Sequence, residues 1–65
     1  MTAPDLSTPR LQDADGFYER LLQAHEGLSP DDSALLSHRL VLLLANQVGD
    51  TRTLAACVDA ARAGL

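Results

Sequence analysis

The sequence contains no lysine, no isoleucine and no tryptophan, and it holds a single cysteine, Cys57. A lone thiol excludes an internal disulfide, and the paired-cysteine spacing of a zinc site does not occur. Aromatic residues amount to 3% of the chain, Phe17 and Tyr18. With isoleucine absent and valine scarce, strand formation is disfavoured. The cationic side is thin as well: five arginines stand against nine acids, for a net charge of −4. An acidic surface repels phosphate, which argues against nucleic acid and against an anionic membrane as partners. The longest apolar run, Leu40-Val-Leu-Leu-Leu-Ala45, is far too short to span a bilayer. The N-terminal residues show neither the charged region nor the apolar run of a signal peptide. A cytoplasmic protein is therefore expected.

What is present is 46% hydrophobic residues, mainly leucine and alanine, in a chain of 65. Both are strong helix formers. A single domain this small rarely gains more than roughly 3–5 kcal/mol from its own core unless a disulfide, a metal or another chain assists. Association with another chain is the assistance that remains.

The pattern predicts an all-α fold, a small three-helix bundle with short glycine-containing turns and a disordered N-terminal tail over residues 1–12. The single domain is placed at residues 13–65. A first helix over about 14–26 begins at Asp13 or Asp15, either of which can cap free amides. It gathers Phe17, Leu21, Ala24 and Leu28 on one side. Gly27 is its expected stop, in a Schellman-type ending with Leu28 as the apolar residue. The second helix, about 30–48, has the clearest start: Ser29 caps, Pro30 takes the first position, and Asp31 and Asp32 complement the helix dipole. Gly49 stops it. Asp50 then caps a third helix over about 51–63, with an apolar stripe of Leu54, Cys57, Val58 and Ala61. Connections this short favour adjacent, roughly antiparallel helices.

The middle helix is apolar on two sides. Leu36, Leu40, Val41, Leu43, Leu44 and Val48 fill a wide arc that the outer helices are expected to cover. Leu35 and Leu42, seven residues apart, lie elsewhere, among His38, Arg39 and Asn46. Leucines at heptad spacing flanked by hydrogen-bonding groups suit a helix–helix contact with another chain. The expected protein interface is accordingly Leu35, His38, Arg39, Leu42 and Asn46. Competing readings are that these leucines are simply exposed, that Leu6 or Leu11 of the tail folds over them, and that Arg39 pairs with Asp31 or Asp32.

No residue set points to catalysis, and no metal or cofactor is expected. His25 and His38 lie on different helices, and nothing fixes a third ligand beside them. His25, in the apolar arc of the first helix, suits a bond to Tyr18 or to helix-end carbonyls. Cys57 is expected to be a buried, inert thiol. The second turn contains the glycine of a DNA-reading helix pair, but the third helix offers only Arg52 and Arg62 within an acidic chain. Glycine-rich phosphate loops and nucleophile elbows are absent. The expectation is a protein that is not an enzyme.

The segments Asp15-Gly-Phe-Tyr-Glu19, Ala24-His-Glu-Gly-Leu-Ser29 and Arg39-Leu-Val-Leu-Leu-Leu-Ala-Asn46, with Val48-Gly-Asp50 behind them, resemble the small bacterial helical proteins of domain-of-unknown-function family 2783. The likeness covers roughly residues 13–62. Phe17, Tyr18, His25, Glu26, Arg39 and Asn46 match its pattern. The family has no assigned mechanism. Because its members tend to be encoded near flavin-dependent aromatic hydroxylases, the resemblance implies an accessory subunit or regulator of such an enzyme. The alternative is a self-associating structural protein. Expected partners are a second copy, as a homodimer, a larger enzyme encoded nearby, or both.

Overall fold

The computed structural model describes residues 4–65. Three α-helices follow in chain order, α1 (Ala14–His25), α2 (Pro30–Val48) and α3 (Thr51–Arg62). No strand occurs among the described residues. The all-α, three-helix architecture expected from composition is what the chain adopts. Of the expected tail, residues 4–12 are neither helix nor strand, and Met1–Ala3 lie outside the described residues. Asp5 organises the stretch locally. Its carboxylate accepts from the Ser7 amide (3.0 Å), the Ser7 hydroxyl (2.9 Å), the Thr8 amide (3.2 Å) and the Thr8 hydroxyl (2.6 Å). These bonds favour the ionised form, the Thr8 hydroxyl most of all, and hold the carboxyl far below its ordinary range.

Each helix starts on a side chain that replaces a missing intrahelical acceptor. Asp13 caps α1 by accepting from the Gly16 amide at 3.0 Å. Ser29 caps α2 by accepting from the Asp32 amide at 3.2 Å, with Pro30 in the first helical position. Asp50 caps α3, accepting from the Arg52 amide at 3.1 Å and from the Thr53 hydroxyl at 2.7 Å. The Thr53 bond first, then the Arg52 amide, lowers the Asp50 pKa from 3.8.

Two helix ends differ from expectation, those of α1 and α3, each of which stops one residue early. Gly49, at φ 76°, closes α2 with its amide donating to the Ala45 carbonyl at 2.9 Å, as an αL stop does. At the end of α1 the chain leaves the helix one residue earlier than predicted. Glu26 is extended (φ −59°, ψ 133°) and Gly27 follows at φ 75°. The Leu28 amide donates to the His25 carbonyl at 3.2 Å. That is a type II turn with glycine in the position that requires positive φ, not a Schellman ending. The same device ends α3: Ala63 (φ −57°, ψ 131°) and Gly64 (φ 82°) let the Leu65 amide reach the Arg62 carbonyl.

The larger departure is in packing. No described residue is buried, and the most enclosed leucines, Leu21, Leu36, Leu40 and Leu54, are half-buried. The arc on α2 that α1 and α3 were expected to cover stays open, with Val41 63% exposed and Leu43 66% exposed. Lengths explain part of this. At about 1.5 Å per residue α2 is roughly 28 Å long, while α1 and α3 are each roughly 18 Å. Each outer helix reaches a short way along α2 and carries a narrow stripe. The chain consequently has a radius of gyration of 13.8 Å, against about 11 Å for a compact domain of this length. It exposes 5831 Å², where a compact chain of 6.9 kDa would expose about 4000 Å².

Candidate functional site

The open packing leaves two grooves, one on each side of α2. The first lies between the end of α1 and the first two-thirds of α2. Ala24, Leu28, Asp32, Leu35, Leu36, Arg39, Leu40 and Leu43 line it, around about 610 Å³. Its floor is leucine, and its charge is one acid and one base seven residues apart, hence on one face of α2. The second groove lies between the end of α2 and α3. It is lined by Val41, Leu44, Ala45, Val48, Leu54, Cys57, Val58 and Ala61, around about 470 Å³. No acid or base lines it. Both volumes fall in the range of ligand sites, but most of their wall residues are themselves exposed.

All five residues of the expected interface are exposed. The structure separates them. Leu35 and Arg39 line the first groove. His38, Leu42 and Asn46 line neither groove and form an exposed ridge of α2 beside them. Leu42 is 58% exposed, less than Leu43 or Val41. The apolar surface available for docking is thus wider than the leucine pair alone. The competing reading for Arg39 does not hold within the chain: neither Arg39 nor the carboxylates of Asp31 and Asp32 engage a partner among the described residues.

The second groove was missed by sequence reasoning. Its signal was present in the mismatch between a broad leucine arc on α2 and the small residues facing it from α3, where Ala61, Cys57 and Val58 have too little bulk to fill the gap. Cys57 is corrected with it. The thiol expected to be buried is exposed on the groove wall. His25 is half-buried in its predicted place, and its imidazole makes no hydrogen bond to Tyr18 or to a helix-end carbonyl. Among the described residues, no three His, Cys, Asp or Glu side chains gather as a metal-holding group. No helix among them is long and apolar enough to cross a membrane.

No curated protein and no solved structure matches the chain. A family model does, over residues 6–63, which takes in all three helices and also much of the stretch before them, including Leu6 and Leu11. The resemblance seen in the helical segments thus extends further toward the N-terminus than those segments alone indicated. The chain belongs to the family described as "Protein of unknown function (DUF2783)".

Proposed function

We propose that this protein is a helical binding module with no catalytic centre of its own, which completes its apolar packing on other polypeptides. The observation that supports this most is the excess of exposed surface. A chain that exposes about 1800 Å² more than a compact monomer has that much to gain from contact. The finer reading is an accessory subunit or regulator of a flavin-dependent aromatic hydroxylase, resting on the genomic company that the family resemblance implies. On this reading the hydroxylase docks over the charge-free α2–α3 groove and the adjoining ridge of His38, Leu42 and Asn46. Apolar side chains supply the affinity there, and the ridge supplies orientation through hydrogen bonds. The module works in the cytoplasm and acts on neither nucleic acid nor membrane.

The test is co-expression of the tagged chain with the hydroxylase encoded beside it, followed by purification and measurement of hydroxylase turnover with and without the module. A stoichiometric complex with altered turnover supports the proposal. Hydroxylase that neither binds nor changes rate overturns the finer reading.

A self-associating protein is the second reading, and the charges of the first groove favour it for that groove.

A further inference from the structure

We infer that a second copy of this chain occupies the α1–α2 groove, pairing α2 antiparallel with its counterpart so that Asp32 of each copy meets Arg39 of the other. This deepens the binding-module reading by naming the occupant of one groove, and it rests on that reading only in treating the open faces as interfaces. Three observations carry it.

The first is charge. Asp32 and Arg39 line the same groove, and neither side chain has a partner among the described residues. A two-fold axis places identical patches against each other with their direction reversed. A patch of one sign would then face itself and be repelled. A patch with one acid and one base, offset along the helix, brings opposite charges together twice. Their seven-residue separation is two helical turns, so both project from the same face.

The second is the apolar lining between and beyond those charges. If the axis passes between Leu35 and Leu36, Asp32 stands opposite Arg39 of the second copy. Leu35 then faces Leu36, a pairing that occurs twice, and Leu43 of each copy lies toward the α1 end of the other's groove. Every leucine named here lines this groove. Residues 32, 36, 39 and 43 step by four and three, which is the spacing of a helix–helix seam, and all four line the groove. Together with α1, the arrangement forms a four-helix core from two chains.

The third is area. An excess near 1800 Å² per chain, shared among the two grooves and the stretch before α1, is enough to supply an interface of standard size, about 800 Å² from each partner. The second groove carries no such pair of charges, so nothing in it selects the chain itself over another apolar partner.

The experiment is a charge exchange read by light scattering and circular dichroism. The wild-type chain is expected to show twice the 6.9 kDa mass of one copy. Asp32→Arg and Arg39→Asp, each purified alone, place like charges opposite each other and should associate roughly tenfold to a hundredfold more weakly. Mixed in equal amounts, the two restore both pairs and should recover dimer mass and helicity. The double variant D32R/R39D should also dimerise by itself. Recovery on mixing supports the inference even if the single variants are poorly folded alone. A monomeric wild type, single variants that dimerise as well as wild type, or a mixture that fails to associate would each overturn it. None of those outcomes bears on capture of the hydroxylase, which is measured separately.

Discussion

The two grooves flanking α2 are alike in origin and unlike in charge. Both arise because a long apolar helix is flanked by shorter helices with narrow stripes. The groove toward α1 carries Asp32 and Arg39, and the groove toward α3 carries neither sign. Apolar surface supplies a driving force for association without choosing a partner. Charge placement chooses, because a mismatched pair is repelled and a matched pair fixes register. On the proposed reading, selectivity for self belongs to the side that carries Asp32 and Arg39, and the other side is an open apolar surface.

The strongest way to break that assignment is to put a charge on one side at a time. Leu43→Asp places an unpaired carboxylate in the α1–α2 groove and should weaken self-association by roughly a hundredfold or more, since the charge would be desolvated without a partner. Helicity at high concentration and sedimentation mass check it, and unchanged mass would remove the second copy from this groove. Val58→Glu makes the corresponding change on the α3 side. Dimer mass should then persist while hydroxylase capture in a pull-down falls by roughly tenfold or more. Loss of dimer mass instead would show that the charge-free groove is where the copies meet.

A smaller effect concerns the corner between α2 and α3. Gly49 sits at φ 76°, so Gly49→Ala should cost about 1–2 kcal/mol by forcing a side chain into the left-handed region. Urea denaturation of the purified chain reads this, and an unchanged midpoint would mean that the turn relaxes elsewhere.

The smallest effect is acid fraying of α3. Asp50 is more acidic folded than unfolded, so its cap contributes fully above the unfolded value near 3.8 and is lost as pH falls through the lower folded value. Residue-resolved amide shifts over pH 2–5 should show α3 losing its first turn, and Asp50→Asn, whose amide oxygen caps without titrating, should abolish that transition.

Helix starts were legible in the sequence because capping is local. Ser29-Pro30-Asp31-Asp32 and Gly49-Asp50 act within a few residues, and both begin or end helices where expected. The one-residue error at His25 has a local cause too, since Glu26-Gly27 suits a type II turn as well as a helix stop. Packing was not legible to the same degree. A helical wheel gives the direction of Leu43 or Val41, but whether a neighbour stands there depends on the bulk and reach of α1 and α3. Cys57 was misplaced for that reason: it lies on the inward stripe of α3, yet α2 is too far away to enclose it. Arg39 was recognised as suited to an interface, while its relation to Asp32 emerged only when both were found on one groove wall.

The absence of any buried residue among residues 4–65 has a consequence for the lifetime of the chain. Segments held by few apolar contacts open readily, and opened backbone is what proteases cleave. On the proposed reading, a lone copy should be cleaved faster than a copy covered on both sides of α2. The cellular level of this protein should follow the supply of whatever covers it, so that surplus copies are degraded and the surviving number matches the number of complete assemblies.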